Sequence, residues 1–250
     1  MSFAINQQHY GQFLTLAHQT GWPAARKPAS WAKRVGAETH LVDLLSDKQV
    51  ERNYLKEICA NSSVSDEACF LAIMAWGGMK YDHGRTAWGL REKWSPIIAD
   101  IREGRLSRVQ AYECFRKFRI SNPRCGFGPA YYTKLIFFAS SEHDGYIMDQ
   151  WTSVSANLLL SYNSHPIVDL TAATSRGQTS HSVSDRNAED VYETFCKGIE
   201  FLASQDDLRQ GLGITSAEEV EMRMFSYGGR HPAAWRQYIK RQPQPPKRYL

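Results

Sequence analysis

The sequence predicts an all-α fold, a single compact array of about ten helices over residues 1–250, and three observations support this prediction. Apolar side chains recur at intervals of three and four residues along most of the chain. No segment alternates between apolar and polar residues over the length of a strand, apart from short ambiguous pieces such as residues 165–168. The chain also shows no internal repeat and no clear linker, so we expect one helical unit.

Amphipathic or buried helices are predicted throughout the first half of the chain. Residues 77–90, GGMKYDHGRTAWGL, interrupt them and are predicted to form a loop because of their glycines. We favour a surface loop whose Trp88 packs into the core, and the alternative is a loop that grips a nucleic acid strand. The predicted helical faces are, in order, Tyr10, Phe13, Leu14 and Ala17; Val50, Tyr54, Leu55 and Ile58; residues 66–77; Trp94, Ile97, Ile98 and Ile101; and Val109, Tyr112, Phe115 and Phe118.

The second half of the chain contains two segments that we expect to lie outside helices. Residues 171–184, TAATSRGQTSHSVS, are half serine or threonine and are predicted to form a loop. The tail of residues 241–250 is rich in proline and in basic residues, so we expect it to be weakly ordered. Between these segments, a long helix is predicted from the spacing of Val191, Phe195 and Ile199.

The composition is that of an ordinary globular protein and excludes several classes of function. The net charge of +4 is compatible with a polyanionic partner without identifying one. No run of about 18 apolar residues exists, so no membrane span is expected. The N-terminus lacks the pattern of a secretory signal, and we expect a cytoplasmic protein. The five cysteines and eight histidines show no metal-binding spacing, so neither a metal nor a cofactor is predicted.

The most informative stretch is residues 120–160, where a turn, a helix, a short loop and a second helix are predicted. Pro129 suits the first position of a helix, because its missing amide donor costs nothing there. Gly126 and Gly128 precede it, and backbone amides at a helix start can hold a phosphate. The third glycine and the preceding strand of a dinucleotide fingerprint are both missing, so that interpretation is excluded. Asp149 stands where it can cap the second helix.

This stretch resembles the helix-hairpin-helix motif of the DNA glycosylase superfamily, in which a Gly/Pro-rich hairpin leads to a helix and then to a catalytic aspartate. The matching segments are the helix 107–118, the hairpin 125–128, the helix 129–140 and Asp149, so residues 107–160 would hold the whole motif. The segment GPAYYTKLIFF is most similar to bacterial proteins like 8-oxoguanine DNA glycosylase. The resemblance implies a two-lobed helical fold that binds DNA across the cleft between its lobes.

The resemblance also implies roles for two titratable residues. Asp149 would be the catalytic carboxylate that stabilises positive charge on the sugar as the base departs. Bifunctional members carry a lysine where this chain has Ala130, and Lys134, one helical turn later, is the candidate Schiff-base nucleophile. The residues alone leave simpler alternatives open. Asp149 is also suited to capping alone, and the stem of Lys134 could pack beside Tyr131 with its charge in solvent.

Two further groups of residues are predicted to contact DNA. The hairpin would hold the phosphate backbone through main-chain amides, and aromatic side chains would stack on a flipped base. Each aromatic residue is equally compatible with ordinary core packing. The backbone-binding candidates are Arg124, Cys125, Gly126, Phe127 and Gly128, and the base-pocket candidates are Tyr131, Trp151, Trp76 and Trp88.

The predicted function is a monomeric DNA N-glycosylase that acts on double-stranded DNA containing a modified base, with oxidised guanine as the first expectation. One alternative within the same chemistry is the removal of other modified bases, including hypermodified bases of phage DNA as a defence. The alternative from another class is a non-catalytic helix-hairpin-helix module that only binds DNA. The sequence leaves open whether base removal is accompanied by strand cleavage.

Overall fold

The structure is a computed structural model that describes residues 2–18, 26–175, 178–226, 228 and 231–243, with the backbone alone at 174, 175, 178 and 179. The described part contains fourteen α-helices and two small two-stranded sheets, which confirms the predicted all-α class. No helix in this part is long and apolar enough to span a membrane. In the predicted tail, Arg241 is the last helical residue, and residues 244–250 lie outside the described residues.

The elements follow one another in a simple order along the chain. They are β1 (Phe3–Ile5), α1 (Gln7–Leu16), α2 (Pro28–Val35), α3 (Thr39–Val42), α4 (Arg52–Ala60), α5 (Asp66–Trp76), α6 (Tyr81–Trp88), α7 (Arg91–Arg102), α8 (Arg108–Ser121), α9 (Pro129–Ala139), α10 (Gln150–Leu159), β2 (Leu160–Tyr162), β3 (Leu170–Ser175), β4 (Gln178–Val183), α11 (Glu189–Ala203), α12 (Asp206–Leu212), α13 (Ala217–Phe225) and α14 (Ala234–Arg241).

The chain divides into two compact units. The continuous unit comprises Ala24–Gly145, and the discontinuous unit comprises Met1–Pro23 together with Tyr146–Leu250. Each unit has its own buried apolar residues. The single unit expected over residues 1–250 stays a prediction.

In the continuous unit, α5 forms the central helix. Every residue from Ala68 to Trp76 is buried, because the sequence is apolar on all sides of this helix rather than along one stripe. It contacts α2, α4, α7 and α9. Helix α9 is similarly buried from Tyr132 onward, so the helix that follows the hairpin is held firmly within this unit.

In the discontinuous unit, α10 occupies the corresponding central place. It contacts α1, α11, α13 and α14. The Trp235 indole donates a hydrogen bond to Ser155 Oγ at 3.0 Å, and Ser155 Oγ donates to the Met224 carbonyl at 2.8 Å. This chain of bonds ties α14 and α13 to α10. Strand β1 pairs antiparallel with β2, and Ile5 lies opposite Leu160, the residue that directly follows α10. This pairing attaches the N-terminal segment to the end of α10.

Two segments predicted to be loops form regular structure. The loop predicted over residues 77–90 is wrong, since most of it forms α6, although Trp88 is buried as the favoured interpretation expected. Position 84 of α6 requires glycine for packing, because a Cβ there would come within 2.6 Å of Trp31 and 2.7 Å of Val35 on α2. The glycine therefore serves helix packing. Residues 170–175 and 178–183 form the antiparallel pair β3–β4, whose backbone pairing needs no apolar alternation.

Gly126 brings the predicted hairpin into contact with α6. Its φ of +84° lies in the left-handed region, and a Cβ there would stand 2.3 Å from the His83 carbonyl oxygen. Both the backbone conformation and the close approach therefore require glycine.

We expect Gly126→Ala to lower the free energy of unfolding by at least about 2–3 kcal/mol, because left-handed strain adds to a clash with backbone. Chemical denaturation measures this directly. Gly104→Ala is the matched control, since Gly104 has a φ of +71° but nothing within 4 Å of its Cβ position. Equal losses for the two variants would contradict the role assigned to the His83 contact.

Candidate active site

The hairpin between α8 and α9 presents backbone amides at a helix start. Cys125 N donates to the Asn122 carbonyl at 2.9 Å, and Tyr131 N donates to the Gly128 carbonyl at 2.9 Å. The amides of Gly126, Phe127 and Gly128 donate to no acceptor within the residues that the structure describes. Successive amides of this kind, placed before an 11-residue helix, can bind an anionic oxygen.

Buried side chains hold this hairpin in place. Phe127 is almost fully buried and packs against the rings of Phe70, Phe115 and Phe118. The Cys125 thiol is also buried and donates to the Phe127 carbonyl at 3.2 Å. Cys125 and Phe127 therefore anchor the loop, and the half-buried Gly126 and Gly128 are the more accessible positions of the hairpin. Arg124 is exposed beside them.

Lys134 lies on α9 with its side chain buried and directed backward along the helix. Only 3% of the residue is exposed, and Nζ donates to the Ala130 carbonyl at 2.5 Å. Nζ also lies 5.6 Å from the centre of the half-buried Tyr131 ring. The amine thus lies at the main-chain carbonyl of Ala130, the residue that stands where bifunctional glycosylases are expected to carry their lysine.

Trp76 and Trp88 lie in the core of the continuous unit. Trp88 clusters with Phe70 and Trp94, and the Trp76 ring meets the Phe138 ring edge-on at 5.1 Å. Both tryptophans are at least 96% buried, so the structure shows them in packing roles. Their part in a base pocket stays a prediction.

Asp149, in the discontinuous unit, caps α10 through one carboxylate oxygen. Its Oδ1 accepts hydrogen bonds from Trp151 N at 2.8 Å and Thr152 N at 3.1 Å. Thr152 Oγ1 accepts in return from Asp149 N at 2.9 Å, and it donates to the Ile147 carbonyl at 2.7 Å. No hydrogen bond within the described residues uses Oδ2, and Asp149 is 8% exposed. The cap therefore orients the carboxylate and leaves one oxygen available.

Arg236 is a neighbour of this site that the sequence analysis missed. It is 3% exposed, and its guanidinium lies 4.0 Å from the centre of the Trp151 ring. It donates to the Phe225 carbonyl at 3.1 Å through Nε and to the Ser226 carbonyl at 2.7 Å. Burial lowers the pKa of Arg236 to about 10, against an opposing contribution from the Asp149 charge, so the side chain remains cationic at neutral pH. Nothing in the local sequence distinguishes this arginine from the exposed basic residues near it.

A cavity of about 430 Å³ adjoins Trp151 within the same unit. Lys240 lies on its wall with Nζ 5.6 Å from the centre of the Trp151 ring. His181 of β4 lines it as well, and burial lowers the pKa of this imidazole below its ordinary value of 6.5. A cavity of this volume, with one aromatic face and several polar side chains around it, has room for a small planar ligand that also forms hydrogen bonds. The lining residues are Gln150, Trp151, Val154, His181, Ile239, Lys240, Gln242 and Pro243.

The predicted site residues thus fall in both units. The continuous unit holds the hairpin amides, Tyr131 and Lys134, and the discontinuous unit holds Asp149 and also Trp151, which lies on the wall of the cavity. Within the described ranges, no group of three His, Cys, Asp or Glu side chains could hold a metal ion.

Comparison with known protein families identifies a match over most of the chain. The model of the family described as "Putative 8-oxoguanine DNA glycosylase OGG-like protein" matches residues 17–225, which include the hairpin, Lys134 and Asp149. Arg236 and Lys240 lie beyond the matched residues. Searches of the curated proteins and of the solved structures returned no match.

Removal of the buried Arg236 guanidinium tests whether it stabilises the discontinuous unit. We expect Arg236→Ala to lower the free energy of unfolding by about 2–4 kcal/mol, because the buried Phe225 and Ser226 carbonyls lose their donor. Arg241→Ala, at an exposed position of the same helix, should change it by no more than about 0.5 kcal/mol. Chemical denaturation of both variants tests the difference, and equal stabilities would show that Arg236 is dispensable.

Proposed function

Because this chain belongs to the 8-oxoguanine DNA glycosylase OGG-like family, we propose that it is a DNA N-glycosylase that flips a modified base out of duplex DNA and cleaves its glycosidic bond. The observation that carries this proposal is the Asp149 carboxylate. One oxygen is fixed by the helix cap, and the other has no hydrogen-bond partner within the described residues.

The chemistry of base removal explains why a fixed carboxylate is useful. As the bond between base and sugar breaks, its electron pair leaves with the base and the sugar acquires oxocarbenium character. A carboxylate that is oriented beforehand stabilises this cation without reorganising during the reaction. In the proposed mechanism Asp149 Oδ2 faces the sugar and also orients the attacking nucleophile.

The nucleophile determines the product. If water attacks C1′ of the sugar, it loses a proton, which the departing base takes up, and an abasic site results. If the Lys134 amine attacks C1′ instead, its proton likewise goes to the base. The bond between C1′ and the ring oxygen then breaks, the oxygen takes up a proton, and the resulting Schiff base allows strand cleavage to follow. A neutral amine has hydrogens to donate to the Ala130 carbonyl and a lone pair for attack, so the observed hydrogen bond is compatible with this role. Lys134 is our candidate for the nucleophile.

Binding of the DNA would use both groups of predicted contacts. The amides of Gly126, Phe127 and Gly128 are suited to a backbone phosphate, with the exposed Arg124 adding positive charge. We assign the flipped base to the 430 Å³ cavity beside Trp151, where the ring offers a stacking surface. The family description supports oxidised guanine as the first candidate base. The monomeric state and the cytoplasmic location stay predictions from the sequence.

We expect Asp149→Asn to reduce base release by about 100-fold or more, because the amide cannot stabilise the sugar cation. The asparagine oxygen can still accept the cap bonds, so unfolding and affinity for duplex DNA should change little. Single-turnover assays and DNA-binding titrations separate these properties. Asp149→Ala is the control that also loses the cap, at about 1 kcal/mol of stability. Unchanged base release in Asp149→Asn would overturn the catalytic assignment.

The substrate class is tested by incubating the protein with duplexes that each carry one modified base and detecting free base by mass spectrometry. We expect release from a duplex with oxidised guanine. Release of a different base, including a hypermodified base of phage DNA, would keep the glycosylase mechanism and change the substrate. Binding of every duplex without release of any base would favour the non-catalytic DNA-binding module.

Borohydride trapping on the active substrate tests the lysine. We expect a covalent protein–DNA complex with the unaltered protein and none with Lys134→Ala, because reduction captures a Schiff base at that amine. Base release accompanied by no trapping would instead identify water as the nucleophile.

A further inference from the structure

Gly77, directly after α5, lies against the side chain of Lys134. A Cβ at position 77 would stand 2.9 Å from Lys134 Cδ and 3.2 Å from Cε, closer than side chains normally pack. The third close atom is the Ile73 carbonyl oxygen at 3.2 Å, which belongs to the preceding turn of α5. The two methylenes of the lysine therefore occupy the space that a side chain at position 77 would fill.

The backbone does not require glycine at this position. Gly77 has a φ of −69° and a ψ of −1°, which any residue can adopt. The left-handed conformation that ends α5 falls on the next residue, Gly78, with a φ of +72°. Glycine at position 77 is therefore explained by the close contact with Lys134 and not by the conformation of the turn.

This contact determines the path of the lysine. Helical side chains lean toward the helix N-terminus, and Lys134 follows this direction with Nζ at the Ala130 carbonyl. An added methyl group at position 77 would push Cδ and Cε away by several tenths of an ångström. The amine at the end of the stem would then leave the Ala130 carbonyl.

We propose that Gly77 is a positioning residue for the Lys134 amine, because its missing side chain allows the stem to lie back along α9 and to place the amine at the Ala130 carbonyl. The inference rests on the proposed function for its catalytic meaning, since Lys134 is the proposed nucleophile. The geometric part concerns the free protein and is tested without substrate.

Gly77→Ala tests the proposal, with Gly89→Ala as the matched control. Gly89 also follows a helix end with a right-handed backbone, at φ −62° and ψ −11°, and its Cβ would have no neighbour closer than 3.6 Å. Both variants add one methyl group at equivalent backbone positions. They differ in whether that methyl group meets Lys134.

The first measurement is reductive methylation of the full-length protein without DNA, with each lysine followed by peptide mass spectrometry. We expect Gly77→Ala to increase the methylation rate of Lys134 by about threefold or more relative to Gly89→Ala, because the amine loses its buried hydrogen bond. The half-buried Lys56 is the internal reference for local unfolding, the exposed Lys93 is the reference for the activity of the reagent, and neither rate should change. Equal Lys134 rates in the two variants would overturn the proposal.

The second measurement connects positioning with chemistry. In borohydride trapping, we expect Gly77→Ala to be slower than Gly89→Ala by about tenfold or more, because small displacements of a nucleophile are costly. If Lys134→Ala abolishes trapping but Gly77→Ala and Gly89→Ala are trapped at equal rates, the positioning role of Gly77 is contradicted and the lysine mechanism stands. Trapping that survives in Lys134→Ala would refute the lysine mechanism, and the methylation rates would still decide the role of Gly77.

Discussion

The candidate chemistry depends on the helix cap at Asp149, in which one carboxylate oxygen accepts hydrogen bonds and the other remains available. Oδ1 satisfies amides at the start of α10, and Thr152 returns a hydrogen bond to the Asp149 amide. The Thr152 hydroxyl is itself fixed by the Ile147 carbonyl. This reciprocal network sets the orientation of the carboxylate before any substrate binds, which is the condition for electrostatic stabilisation of a developing cation. The cap and the proposed catalytic role therefore support one another.

Glycines make several of the close contacts that shape the continuous unit. At Gly126 the chain needs both a left-handed backbone and a close approach to the His83 carbonyl. Gly84 allows α6 to pack against Trp31 of α2, and Gly77 accommodates the stem of Lys134. In the last two cases the glycine provides space rather than flexibility. The glycine-rich segment that appeared to be a loop is thus a helix and its junction with α5.

Local signals account for what the sequence analysis predicted well. Ser107 caps α8 one residue before its first turn, and α9 runs from Pro129 to Ala139, close to the predicted 129–140. The resemblance to glycosylases is confirmed at the level of the family, because the family model covers residues 17–225. Helix α6 was missed because its Gly84 is explained by packing against α2, which is distant in sequence, and β3–β4 was missed because backbone pairing between neighbouring strands needs no apolar alternation. Arg236 and His181 were missed because the residues around them come from other elements.

The sequence by itself determined the all-α class, the order of helix, hairpin, helix and aspartate, and the cap at Asp149. Periodicity and capping involve residues within three or four positions of each other, so they are visible in the linear chain. Only the tertiary structure decided what lies beside the Lys134 stem and what surrounds Trp151. Gly77 contacts Lys134 in the continuous unit and Arg236 contacts Trp151 in the discontinuous unit, and each contact joins helices that are distant in sequence.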